Sequence, residues 1–119
     1  MEQEHPRLVI TNQGDVTVVK LVDRKILDEV NISHIGERLQ GLVAKQEVPR
    51  LVLDFSSVGH MSSSALGMLI TLHKRVREKK GLLCLAGIQA PIYEVFVITR
   101  LNEIFEIKEN AEEAVKSLQ

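Results

Sequence analysis

The stretch Leu51-Val-Leu-Asp-Phe-Ser-Ser-Val-Gly-His-Met-Ser-Ser-Ser-Ala-Leu-Gly-Met-Leu-Ile70 changes its periodicity partway along, and that change sets the fold. Residues 50–55 form a short apolar run after Pro49 with Asp54 near its end, the pattern of a strand covered on both faces. Ser56, Ser57 and Gly59 then force a loop. From Ser62 the apolar residues recur at the helical period, with Ala65, Leu69, Leu72 and Val76 on one stripe and Leu66 and Met68 widening it. The serines therefore stand at a helix N-terminus, where unpaired N–H groups and a partial positive charge suit an N-cap hydroxyl and would also stabilise a phosphate. A lone serine at such a place is ordinarily a cap. Position singles these out, because ligands and partners of open α/β sheets gather just beyond the carboxyl ends of the strands.

Upstream, residues 8–11 and 16–21 are β-branched runs separated by Asn12-Gln-Gly-Asp15, whose residues favour a tight turn. They read as a β-hairpin. Asn31 is placed to cap a helix carrying Ile32, Ile35, Leu39, Leu42 and Val43 on one side and ending near Lys45. Strand, helix and the strand after Pro49 then make a parallel crossover. Downstream, Gly81 follows Lys79-Lys80 as a helix stop, and residues 82–86 form the next buried strand, giving a second parallel crossover. Pro91 suits the first turn of a helix running to Thr99, with a strand over the β-branched residues 95–98 as the alternative. Residues 104–107 read as a short edge strand, and Asn110 with Glu113 as a capping box opening a final helix through Leu118. The expected fold class is α/β, with a mixed, mainly parallel sheet of four to five strands flanked by about four helices.

Composition narrows the function. A chain of 119 residues is one domain, long enough to bury about two-thirds of its unfolded surface; residues 1–6 are expected to form a disordered tail. The net charge of −1 argues against nucleic acid as the main partner. The basic run Lys74, Arg75, Arg77, Lys79 and Lys80 occupies a helix's last turns, where cations favour the dipole and face solvent. No apolar run approaches membrane-spanning length and Met1-Glu-Gln-Glu-His5 lacks the pattern of a secretion signal, so a cytoplasmic location is expected. Cys84 stands alone in an apolar run and reads as a buried, inert thiol.

The run Leu51 to Val58 followed by Met61-Ser-Ser-Ser-Ala-Leu-Gly67 resembles the core motif of STAS domains, specifically the bacterial anti-sigma factor antagonists. Asp28-Glu-Val-Asn-Ile-Ser-His-Ile35 is similar to the family's segment entering the first helix. Val95-Phe-Val-Ile-Thr-Arg-Leu-Asn-Glu-Ile-Phe-Glu-Ile107, with Ala111-Glu-Glu-Ala114, is similar to its C-terminal third. The resemblance favours the helix over the strand after Pro91. It implies a protein-binding switch without catalytic residues, whose partner is an anti-sigma factor with serine kinase activity. Carried over position by position, the phosphorylation site is Ser63, and the partner-binding residues are Asp28, His60, Met61, Ser62, Ser63, Ser64 and Ala65.

Two positions depart from the family pattern. Ser62 stands where Asp is usual, which removes a charge that a helix N-terminus would stabilise. Ala65 stands where Gly is usual and is the better helix former, although its methyl could crowd a closely approaching partner. The first departure keeps a second reading in view, a STAS adaptor whose serine is never phosphorylated, such as a transporter accessory subunit or a scaffold component. A remoter reading pairs His60 with Ser63 as a hydrolase, but the loop has no Gly-x-Ser-x-Gly elbow and no obvious orienting carboxylate beyond Asp54. His5, His34 and His73 have no neighbour at metal-ligand spacing, and a phosphate-cradling glycine loop with its lysine is absent, so no cofactor is expected.

Overall fold

The hairpin opens the sheet as its antiparallel edge. In the computed structural model, which describes residues 8–119, strand β1 (Leu8–Gln13) pairs antiparallel with β2 (Val16–Leu21) from Leu8 opposite Leu21 to Gln13 opposite Val16. The turn is therefore the two residues Gly14 and Asp15, tighter than the expected four, and Gly14 takes the positive φ of 64° that such a turn demands. The expected tail over residues 1–6, with His5, lies outside the described residues.

Helix α1 (Glu29–Lys45) follows a two-residue strand β3 (Lys25–Ile26) and returns the chain to β4 (Arg50–Asp54), which pairs parallel with β2. A second two-residue strand, β5 (His60–Met61), leads into α2 (Ser63–Glu78), which returns it to β6 (Leu82–Ala86), parallel to β4 with Leu51 opposite Leu83. Helix α3 (Ala90–Ile98) and one 3₁₀ turn (Leu101–Glu103) precede β7 (Glu106–Lys108), parallel to β6, and α4 (Ala111–Leu118) closes the chain. The sheet order is β1-β2-β4-β6-β7, mixed through β1 alone. Both expected parallel crossovers are present, and the stretch after Pro91 is helix.

Alternation along β4 explains why its sequence is apolar throughout. Leu51 and Leu53 pack with Ile35 and Leu39 of α1 and Leu69 and Leu72 of α2, whereas Val52 points the other way, toward Ala114, Val115 and Leu118 of α4. Cys84 of β6 lies on the α4 face, fully buried, and burial, with Glu106 adding to it, pushes its thiol up to about 11. It is an inert core group, as its surroundings in the sequence suggested.

Three boundaries differ from the expectations. Helix α1 begins two residues before Asn31, and its N-cap is Asp28, whose carboxylate accepts from the N–H groups of Val30 at 2.8 Å and Asn31 at 3.4 Å. Asn31 instead donates its side-chain amide to Asp23 at 3.3 Å. The edge strand starts at Glu106 rather than residue 104, because Phe105 turns inward to meet His73 and Phe96 edge-on, with ring centroids 5.1 and 5.9 Å away. The left-handed residue ending α2 is Lys80, at φ 59°, and not Gly81. Gly81 is required for a different reason: a Cβ there would sit 2.2 Å from the Pro49 carbonyl oxygen.

Candidate functional site

The chain leaves β4 through a turn that Asp54 closes on itself, its carboxylate accepting the Ser56 N–H at 2.9 Å. Gln89, just before α3, donates to the Ser56 carbonyl at 3.0 Å and holds the turn from outside. Gly87 takes φ +69°, and a Cβ there would sit 3.2 Å from both Asp54 Oδ1 and Ser56 Cβ, which leaves little room for a side chain. The N–H groups of Gly59 and His60 both donate to the Arg24 carbonyl, at 2.8 and 3.1 Å, and the Ser62 N–H donates to Ile26 at 3.1 Å. These bonds tie β5 to β3 in parallel, with Lys25 opposite His60 and Ile26 opposite Met61. The first turns of α1 and α2 are thereby set side by side on one end of the domain.

The three hydroxyls have different employment there. Ser62 is the N-cap of α2, and its Oγ accepts from the Ala65 N–H at 3.3 Å. Ser64 donates to the Glu29 carboxylate at 3.5 Å, across from the first turn of α1. Ser63 is exposed, and its hydroxyl has no hydrogen-bond partner among the described residues. The first turn of α2 contains no acidic residue, so Glu29 brings a carboxylate to a helix end that lacks its own.

The chain belongs to the STAS domain family. The family model matches residues 7–114, and that span contains every element from β1 to the first residues of α4. Among relatives, an anti-sigma-B factor antagonist of Listeria monocytogenes is 29% identical over 82 residues, 69% of this chain and 71% of the relative. An anti-sigma F factor antagonist of Paenibacillus polymyxa is 22% identical over 119 residues, 100% of this chain and 94% of the relative. An anti-sigma-factor antagonist (STAS) domain protein of Planctomyces limnophilus has the same fold, with a TM-score of 0.85 at 19% identity, over 93% of this chain and 97% of that one.

Within this STAS domain, the residues singled out in the sequence come together in part at the surface and in part beneath it. Asp28, His60, Ser63 and Ser64 are exposed, and Met61 and Ser62 are half-buried. Ala65 is fully buried and belongs to the core stripe with Leu69, Leu72 and Val76, so its methyl supports this face from below. Asp54 is committed to the Ser56 N–H, and neither the His60 ring nor the Ser63 hydroxyl has a hydrogen-bond partner among the described residues. A Ser-His pair with its orienting carboxylate is not assembled.

Sequence reasoning missed the apolar half of the site. Beside the serines, Leu27, His60, Met61 and Leu66 face Ile92 and Val95 of α3 across a groove of about 250 Å³. The neighbouring surface is apolar as well: Val30 is 64% exposed and Ile98 is 80% exposed. The signal was present in α3, which carries Glu94 as its one charged residue, yet buries only Ile92 and Phe96. A helix of that composition with most of one side in water marks an interaction surface.

Proposed function

We propose that this STAS domain is an anti-sigma factor antagonist, acting by binding and without catalysis of its own in the cytoplasm. Its partner is an anti-sigma factor that is also a serine kinase. The face built from Asp28, His60, Met61, Ser62, Ser63 and Ser64 engages that partner and frees a sigma factor, and phosphorylation of Ser63 by the same partner ends the binding. The observation that carries this reading is the allocation of hydroxyls: Ser62 caps, Ser64 is held by Glu29, and Ser63 alone is exposed with no partner among the described residues. The relatives named as antagonists support it.

The groove between Met61 and Val95 supplies apolar area for affinity, while Ser63, two residues along the chain from Met61, supplies the switch. A phosphoserine adds nearly two negative charges and removes a hydroxyl donor. Against a partner carboxylate about 7 Å away, at an effective dielectric of ~20, the repulsion is on the order of 4 kcal/mol before screening. That corresponds to roughly a thousandfold loss of affinity.

One observation favours the second reading, an adaptor whose serine stays unmodified: Ser62, and not the usual Asp, is the N-cap of α2, and the first turn that follows has no acidic residue. Affinity capture with the full chain separates the two. Recovery of a kinase-type anti-sigma factor, released on addition of ATP, supports the switch; recovery of a transporter or scaffold subunit, insensitive to ATP, supports the adaptor.

A further inference from the structure

At the other end of α2, the last two turns of the helix, the start of β6 and residues Ile104 and Glu106 line a half-open cavity of about 410 Å³, within the roughly 300–1,000 Å³ typical of small-molecule sites. By the helix rise, its Arg77 lies about 21 Å along the axis from Ser63, outside the face assigned to the partner. Val76 and Leu83 form a buried apolar floor, and Leu82 and Ile104 stand as apolar lips, 49% and 51% exposed.

Its polar lining consists mainly of donors. Arg77 and Lys80 have no side-chain partner among the described residues. Their helix neighbour Lys79 behaves differently, donating to the carbonyls of Val43 at 3.0 Å and Ala44 at 3.1 Å and so closing the C-terminus of α1. The carboxylate in the lining, Glu106, is offset by Lys108 at 3.4 Å. His73 is packed edge-on against Phe105 with its Nδ1 sequestered and unpartnered, while its Nε2 is not sequestered. Burial and the neighbouring Arg77 lower its pKa, so at neutral pH the ring is uncharged. The proton then belongs on Nε2, where water or a ligand can accept from it, rather than on the sealed nitrogen.

We propose that this cavity binds a small anionic amphiphile, a carboxylate or phosphate head held by Arg77 and Lys80 with a hydrocarbon body lying between Leu82 and Ile104. Free cations over an apolar floor satisfy both halves of such a molecule, whereas inorganic phosphate would use only the first and a neutral hydrocarbon only the second. The basic run at 74–80 is thus divided among three uses: Lys79 braces α1, Arg77 and Lys80 border the cavity, and Lys74 and Arg75 are exposed to solvent.

The test is a titration of the full chain with decanoate below its micellar range, followed by backbone amide NMR, with inorganic phosphate and phosphatidylglycerol vesicles as separate probes. Decanoate is expected to produce saturable shifts from Val76 to Leu83 and at Ile104, with none near Ser63, and inorganic phosphate to bind at least about tenfold more weakly. The double variant Arg77→Gln/Lys80→Gln changes two exposed side chains; its amide spectrum should remain that of the folded protein while decanoate affinity falls about tenfold or more. Absence of shifts, shifts confined to the Met61–Val95 groove, or affinity unchanged in the double variant would overturn the proposal. Binding to vesicles with no response to free decanoate would also overturn it, by making this end a membrane-contact patch.

Discussion

The Ser64 hydroxyl and the Glu29 carboxylate meet at 3.5 Å, linking the first turns of the two helices that flank the candidate partner face. Both groups are exposed, so the contact is worth little in stability, of the order of 0–1 kcal/mol. Its consequence is chemical. It occupies one of three adjacent hydroxyls, and Glu29→Ala should free Ser64 to compete with Ser63. Peptide mapping after treatment with a cognate kinase should then give a mixture of the two phosphoserines, against Ser63 alone in the parent chain.

Asp28 has a structural duty that must be separated from any contact with a partner. Its carboxylate holds two N–H groups at the start of α1, so Asp28→Ala should cost about 1 kcal/mol, read from denaturant unfolding. Asp28→Asn keeps the cap and removes the charge. A loss of partner affinity in the Asn variant, with stability near that of the parent chain, assigns the charge to recognition; a loss in the Ala variant alone assigns Asp28 to capping.

That cap also marks where the sequence was legible and where it was not. The start of α2 was readable because the apolar stripe begins at Ala65, immediately after the serines. In α1 the stripe begins at Ile32, since Val30 is exposed, and this drew the expected cap to Asn31 when the chain had already turned at Asp28. The pairing of β3 with β5 left no signal, because two-residue strands are too short to express a period. Residues 104–107 read as a short edge strand, but tertiary packing of Phe105 on Phe96 and His73 decided the backbone at its start. The serines were legible individually; which hydroxyl each neighbour occupies depended on Glu29, distant in sequence and adjacent only in space.

Two glycine-to-alanine changes should move stability in opposite directions. At Gly41, inside α1, an added Cβ meets nothing within 4 Å, and alanine should stabilise the fold by about 0.5–1 kcal/mol. At Gly81 the same Cβ would sit 2.2 Å from the Pro49 carbonyl oxygen and 2.8 Å from its ring. Either backbone must shift, and Gly81→Ala should lose about 1–3 kcal/mol or more. Thermal or urea unfolding of both variants checks the pair.

His73 should make stability depend on pH below neutrality. Its folded pKa lies below its ordinary 6.5, from burial first and Arg77 second. Below 6.5 the unfolded chain therefore binds a proton that the folded chain resists. Stability is retained above that pH and falls as pH drops toward the folded value. In His73→Phe, which keeps an aromatic ring against Phe105, this portion of the slope should disappear, so the stability advantage of the variant should widen from pH 6.5 downward in urea titrations.

The central claim is that Ser63 carries the switch. Ser63→Asp should weaken partner binding only partly, since aspartate has one charge and lacks the geometry of the phosphate, while Ser63→Ala should bind and resist modification. The most direct measurement is mass spectrometry of the intact protein and its peptides after incubation with its kinase-type anti-sigma factor and ATP. A single phosphate on Ser63, accompanied by release from the partner, is the predicted result; phosphate on Ser62 or Ser64, or none with the cognate kinase, would contradict it.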